Sequence, residues 1–151
     1  MPVRDRMLSV LLLGAALAVM PSARSFASDR PASLRATLIL ASNEPAAQDP
    51  RLDTVEYKLR RVFGFEYYRH YGENTAAVAI PGSTSLTLGH GNRLQIHLSG
   101  AGDNRLRAQV QWFRGEDLVL NTTVVVDRRA PVVLGGVSHE NGTLIVTLQA
   151  E

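Results

Sequence analysis

Apolar and polar residues alternate along the second half of the chain. The alternation is clearest in segments 93–99 and 104–113, where every second residue is apolar: Leu94, Ile96, Leu98, Leu106, Ala108, Val110 and Trp112. Because successive side chains of a strand point to opposite faces of a sheet, this period of two predicts strands with one buried face. Further strands are predicted where β-branched, aliphatic and aromatic residues concentrate, at 34–41, 65–71, 76–80, 85–88, 118–126 and 143–149.

Residues 50–63 follow a helical period instead. Asp49 is a suitable N-cap, Pro50 suits the first helical turn, and Gly64 suits the end of the helix. The apolar residues that recur on one face are Leu52, Val55, Leu59, Val62 and Phe63. We expect this face to pack on the sheet together with Leu38, Leu40, Leu106, Val110 and Trp112.

Short polar segments separate the predicted strands, at Gly91-Asn92, 100–103, 114–116 and Asn141-Gly142. Such segments are typical of hairpin turns, which make consecutive strands antiparallel. The sequence therefore predicts an α+β fold in which one antiparallel β-sheet or small sandwich of about seven or eight hairpin-connected strands carries one packed α-helix. We place it in a single domain at 34–151, preceded by a flexible N-terminus at 28–33.

The first 27 residues have the pattern of a secretory signal peptide. Arg4 and Arg6 precede an apolar run of 14 residues, Met7 to Met20, and the small residues Ser25 and Ala27 lie at the expected cleavage site. That run is shorter than the ~20 residues of a membrane-spanning helix. We therefore expect an exported protein, periplasmic or extracellular, whose mature chain has no transmembrane segment.

Charge and cysteine content narrow the class of protein. The chain carries 16 basic and 14 acidic residues, and without residues 1–27 the numbers are 13 and 13. A neutral mature chain gives no reason to expect nucleic acid as a partner. An exported domain without cysteine is more typical of a bacterial envelope than of animal extracellular proteins.

The sequence contains no catalytic, metal or cofactor motif. Its four histidines, His70, His90, His97 and His139, form neither a His-x-His nor a His-Glu-x-x-His pattern. His139 and Glu140 are adjacent on a predicted hairpin and would point to opposite faces. We therefore assign no catalytic residue and no cofactor, and we expect these histidines to lie at the surface.

Two candidate ligand or partner surfaces remain. Tyr68, Arg69 and Tyr71 could stack on sugar rings or grip a peptide, or else Phe65 and Tyr67 pack on the sheet while Tyr68 and Tyr71 form its rim. The second surface is an outward cationic, amide-rich row that would suit an anionic glycan or an acidic partner: Arg93, Gln95, His97, Arg105, Arg107, Gln109, Gln111 and Arg114. The alternative for this row is an ordinary solvated face.

Two local resemblances suggest an envelope context. A pattern at 49–68 resembles small exported bacterial proteins of unknown function: Asp49-Pro50-Arg51-Leu52, then Leu59-Arg60-Arg61-Val62-Phe63-Gly64-Phe65 and Tyr68. A second pattern is similar to the C-terminal β-region of secretins: Asn121 to Asp127, Val132 to Gly136 and Thr143 to Leu148. The secretin turn normally has Asp-Gly, whereas this chain has Asp127-Arg128, and it is too short for the multidomain pore.

These patterns suggest an exported, non-catalytic module that binds or braces another cell-envelope component, either a protein or a polysaccharide. The alternatives are a small hydrolase of envelope polymers and an accessory protein of a secretin-like export system. The oligomeric state stays open.

Overall fold

Residues 31–151, which the computed structural model describes, form eight β-strands and one short helix. The predicted signal peptide 1–27 and residues 28–30 lie outside this part of the chain. A 3-10 turn, Pro50–Leu52, leads into helix α1, Asp53–Phe63. The strands in chain order are β1 Ala32–Ser42, β2 Tyr67–Val78, β3 Gly82–Gly89, β4 Asn92–Gly100, β5 Arg105–Arg114, β6 Asp117–Asp127, β7 Val132–His139 and β8 Gly142–Ala150.

The strands form two four-stranded antiparallel sheets. The first sheet has the order β2-β1-β8-β7 and the second β3-β4-β5-β6. The second sheet is a meander of consecutive strands, whereas the first depends on the pairing of β1 with β8, at opposite ends of the described chain. A mainly antiparallel fold with one helix is confirmed, and the alternative of one single sheet is wrong.

Both sheets contribute to one cluster of buried residues, whose largest fully buried side chain is Trp112. Along β4 and β5 the buried residues occupy the even positions, as the alternation predicted. In the first sheet the contributors include Leu34 and Leu38 of β1 and Val146 of β8. The odd positions of β4 and β5 therefore face away from this core.

Helix α1 packs on the other face of the first sheet. Leu52, Val55 and Leu59 form a second buried cluster with strand residues of β1, β2 and β8: Ile39, Ala41, Tyr68 and Ile145. The predicted packing partners of the helix are wrong, because all of them lie in the core shared by the sheets: Leu38, Leu40, Leu106, Val110 and Trp112. The centre of the first sheet is apolar on both faces. One face contributes to the shared core, and the helix covers the other.

The predicted helix 50–63 begins with the 3-10 turn, which Asp49 caps, so α1 itself begins three residues later than predicted, and its end at Gly64 is as predicted. The carboxylate of Asp49 accepts a hydrogen bond from the backbone N–H of Arg51, and Gly64 takes a left-handed conformation with φ of 69°. The Arg51 guanidinium, 2.7 Å from Asp49 Oδ2, holds the pKa of that carboxyl well below its usual range. The stabilising contribution of this carboxylate is therefore complete above the ordinary Asp pKa of ~3.9 and is lost as the pH falls through the lowered pKa.

Several strand limits differ from the predictions. The predicted strands 65–71 and 76–80 both overlap one strand, β2, which leaves out residues 65–66 and 79–80, and β7 was not predicted as a strand. Ser33, at the end of the predicted flexible segment 28–33, exchanges two backbone hydrogen bonds with Glu151 and belongs to β1. Glu151 lies more than a hundred residues away along the chain, so no local sequence signal predicts that Ser33 is part of a strand.

Two hairpin turns begin one residue earlier than predicted. The β3–β4 turn is formed by His90 and Gly91, both with positive φ, and the β7–β8 turn by Glu140 and Asn141. Gly142 lies in β8, where a Cβ atom would stand 2.4 Å from the backbone oxygen of Ala41. This glycine is therefore required by the close approach of β1 and not by the turn.

A buried side-chain hydrogen bond connects the Trp112 core to the β3–β4 turn. The indole Nε1 of Trp112 donates to Oδ1 of Asn92 at 3.0 Å, and the Asn92 amide donates to the carbonyl oxygens of Gly89 and His90. Asn92 is 1% exposed. One amide thus satisfies the only polar group of the largest core residue and holds the turn.

We predict that Asn92→Leu lowers the free energy of unfolding by about 1–3 kcal/mol, because the buried indole N–H loses its acceptor. Urea unfolding followed by tryptophan fluorescence measures this value. Asn121→Leu, at an exposed position of β6, is the matched control and should change stability far less. Equal losses in the two variants would contradict the role of Asn92.

Candidate functional site

The seven residues predicted to form ligand surfaces lie on two different sheets. Tyr68, Arg69 and Tyr71 are on β2 of the first sheet, and Arg93, His97, Arg105 and Arg107 are on β4 and β5 of the second. The structure therefore does not combine them into one surface.

Tyr68 is not at the surface. It is 3% exposed and lies beneath helix α1, in the cluster that contains Leu59 and Ile145. The expectation that Tyr68 rims the sheet is wrong, because the helix covers the face to which this side chain points. Burial raises the pKa of the Tyr68 phenol, and the nearby backbone of Phe65 partly offsets this rise, but no group among the described residues meets the distance and angle of a hydrogen bond to the hydroxyl.

Tyr71 and Arg69 lie near the turns at one end of the sheets. The Tyr71 ring is half-buried against the shared core and stacks on His90, with ring centroids 3.8 Å apart. His139 approaches the same ring at 5.8 Å. Arg69 is exposed beside the β7–β8 turn. Tyr71 thus has neighbours within the protein on its ring face and does not form an open stacking platform.

Arg93, Arg105 and Arg107 lie around the outer face of the second sheet, and the predicted cationic row is not formed. The guanidinium of Arg93 is 4.9 Å from the centre of the Phe113 ring, and Arg105 lies directly opposite Asp127. Arg107 is exposed opposite Ser99. Arg114, predicted in the same row, is on the other face and donates two hydrogen bonds to the carbonyl oxygen of Ser138.

The centre of this outer face is polar and uncharged. The strand register aligns two rows across all four strands: Ser83–His97–Gln109–Thr123 and Ser85–Gln95–Gln111–Asn121. We call these eight residues the polar face. They line an open concavity of about 670 Å³. That volume is within the range of ligand pockets, roughly 300–1,000 Å³.

The polar face presents both donors and acceptors of hydrogen bonds. Its four amide side chains each carry a carbonyl oxygen and an NH₂ group, and its three hydroxyls donate and accept as well. Neighbouring strands are about 4.8 Å apart, so each row places a polar group at that interval across the sheet. The side chains are held at these positions because the alternate residues are fixed in the core.

Ser83 and His97 form a hydrogen bond on the polar face, with 2.8 Å between Ser83 Oγ and His97 Nδ1. A serine nucleophile requires such a base, normally oriented by a third group. Among residues 31–151 no carboxylate is hydrogen-bonded or salt-bridged to His97. The pair therefore has two components of a nucleophilic site without the orienting acid.

The other polar clusters are small. His70 Nε2 lies 3.5 Å from Glu73 Oε2 on β2, and Asn141 donates to Glu44 across a loop. Within the described part of the chain no three His, Asp or Glu side chains are grouped as metal ligands. A hydrolase of envelope polymers, the alternative named above, would bring two or more of five side chains within hydrogen-bonding distance in a cleft: His70, His97, His139, Glu66 and Glu140. No hydrogen bond or salt bridge joins any two of them in the described part of the chain.

Sequence reasoning found half of the polar face. Gln95, His97, Gln109 and Gln111 were in the predicted outward row, whereas Ser83, Ser85, Asn121 and Thr123 were missed. Alternation along β3 and β6 could have indicated the missed residues. On β3 polar residues alternate with Leu86 and Leu88, and on β6 Asn121 and Thr123 alternate with their less exposed neighbours.

The chain matches no protein-family model, no curated protein and no solved structure. The resemblances to small exported proteins and to secretins stay predictions. No helix among residues 31–151 is long and apolar enough to span a bilayer.

We predict that Tyr68→Phe leaves the free energy of unfolding unchanged or raises it, because the variant removes a buried hydroxyl that has no partner. Chemical denaturation of the two proteins gives the comparison. Tyr68→Ala is the control and should lose about 3 kcal/mol or more, as large aromatic truncations in cores do. A marked loss of stability in Tyr68→Phe would show that the hydroxyl has a partner after all.

Proposed function

We propose that this protein is an exported, non-catalytic module of the bacterial cell envelope that binds another envelope component through the polar face. The observation that carries the proposal is the concavity on the outer side of the second sheet, lined by eight exposed or half-buried polar side chains in two aligned rows. The predicted leader supports export, and the neutral mature chain fits a partner that is not nucleic acid.

We propose a neutral polysaccharide as the bound component. Side-chain amides pair with vicinal hydroxyls of a sugar ring through two parallel hydrogen bonds, and the polar face offers four such amides. The anionic glycan expected from the sequence has weaker support, because Arg105 faces Asp127 and Arg93 is stacked on Phe113. A protein partner would need apolar anchors, which the two rows lack.

We also infer that the two sheets pack face to face as a small sandwich. Support comes from the single cluster of buried residues to which every strand of both sheets contributes, with two or more members from each strand except β2, β6 and β7. In this arrangement the polar face is the outer surface of one layer, and helix α1 covers the outer surface of the other.

A second candidate function is hydrolysis of an envelope polymer. One observation favours it: the Ser83–His97 hydrogen bond lies within the same concavity that would hold a glycan. Ser83→Ala separates the two functions, because it abolishes hydrolysis by a serine nucleophile but removes only one hydroxyl from a binding face. Retained binding, with neither sugar nor an acyl group such as acetate released by either protein, supports the binding module.

We predict that the mature chain binds a neutral polysaccharide such as cellulose, mannan or dextran, and does not bind anionic alginate. Gln95→Ala combined with Gln109→Ala should raise the dissociation constant about tenfold or more, since each lost hydrogen bond contributes ~1 kcal/mol. Co-sedimentation with insoluble polymers and calorimetry with soluble ones give the constants. Binding should be nearly independent of salt, because no ion pair takes part.

Gln149→Ala is the matched control, since it removes the same side chain from β8 of the first sheet. It should bind like the unmodified protein. Binding only to alginate, with loss at high salt, would overturn the choice of a neutral ligand. Binding that survives the double substitution would overturn the choice of the polar face.

A further inference from the structure

The concavity of the polar face is a channel that crosses the strands of the second sheet. Besides the eight residues of the two rows, Thr84 and Ile96 line it. Both belong to the line of residues between the rows, where Thr84 pairs with Ile96 and Ile96 pairs with Val110. The Ile96 side chain lies in the shared core, so the backbone of this residue forms the floor of the concavity. The two rows are therefore the walls of a channel that runs from β3 to β6.

The walls of this channel repeat at the spacing of the strands. Each wall carries one polar side chain per strand, and neighbouring strands are about 4.8 Å apart. An extended chain of β-1,4-linked pyranose sugars advances by nearly the same length with each sugar. Because the two repeats match, such a chain can place one sugar over each strand, and four sugars span the four strands of the sheet.

Both walls offer hydrogen bonds to each sugar. Every strand of the sheet places one such side chain in each wall, as His97 and Gln95 do on β4 and Gln109 and Gln111 do on β5. Successive sugars of an extended β-1,4-linked chain face opposite ways, so their hydroxyls point alternately to the two walls. None of the eight side chains is Asp, Glu, Lys or Arg. The channel therefore suits an uncharged chain with hydroxyls along both of its sides.

We propose that the polar face binds an extended, neutral β-1,4-linked polysaccharide whose chain lies across the strands, with one sugar over each strand. This inference rests on the proposed function, and it specifies the linkage, the direction and the length of the bound segment. A stiff, extended chain loses little conformational freedom in the channel, because preorganised ligands lose less entropy on binding. An α-1,4-linked chain of the same sugars coils, so fewer of its successive sugars reach both walls.

Calorimetry with a length series of oligosaccharides tests the linkage and the number of bound sugars. The ligands are β-1,4-linked gluco- and manno-oligosaccharides of two to six sugars, with α-1,4-linked gluco-oligosaccharides of the same lengths as the control. We expect the dissociation constant of at least one β-1,4 series to fall about tenfold or more between two and four sugars, because each added sugar forms hydrogen bonds. Between four and six sugars it should change less than about threefold, and the α-1,4 series should bind about tenfold more weakly at these lengths.

Two variants test the direction of the bound chain. Asn121→Ala combined with Thr123→Ala removes both walls over β6, so the affinity should reach its plateau at three sugars and no longer at four. The trisaccharide should bind this variant within about twofold of the unmodified protein, which shows that the rest of the channel is intact. Ser99→Ala is the control, because Ser99 faces outward on β4 beyond the two rows, opposite Arg107. It should bind every ligand like the unmodified protein.

A chain that lay along β4 would contact Ser99 and leave β6 uncovered. Weaker binding of Ser99→Ala, with an unchanged plateau in the β6 variant, would therefore overturn the direction. A dissociation constant that keeps falling beyond four sugars would overturn the placement of one sugar over each strand. Equal or tighter binding of the α-1,4 series, or binding of dextran without either β-1,4 series, would overturn the extended chain alone. No binding of any neutral saccharide would overturn the proposed function as well.

Discussion

The shared apolar core fixes the position of every side chain on the polar face. In β4 and β5 the even residues, from Leu94 to Trp112, are committed to the core, so the odd residues between them face outward. A slip of one residue in the register would exchange the two sets and bury Gln95 and Gln109 without partners. The two rows of the polar face are therefore as well defined as the core beneath them.

The first sheet has a different arrangement because its central strands are apolar on both sides. Ile39 and Ile145 point away from the shared core, and helix α1 covers them. This sheet consequently has little open surface in its centre, and Tyr68 becomes part of the fold. Helix α1 packs on the first sheet only, so the outer face of the second sheet stays exposed.

Elements with local signals could be predicted from the sequence, whereas the way in which the strands assemble into sheets could not. Asp49 and Gly64 define the helix ends, and alternation defines β4 and β5, because these signals lie within a few residues. The pairing of β1 with β8 joins segments about a hundred residues apart, so neither the division into two sheets nor the burial of Tyr68 could be predicted. Half of the polar face was missed for the same reason, since its rows exist only across strands.

The polar face, whose side-chain positions the core defines, is the proposed binding surface of this protein. A ¹H–¹⁵N NMR titration of the mature chain with a neutral saccharide, following the side-chain amides, tests this proposal. We expect the NH₂ signals of Gln95, Gln109 and Gln111 to shift with the ligand while those of Gln48 and Gln149 do not. Shifts confined to Gln48 or Gln149, with the polar face unaffected, would contradict it.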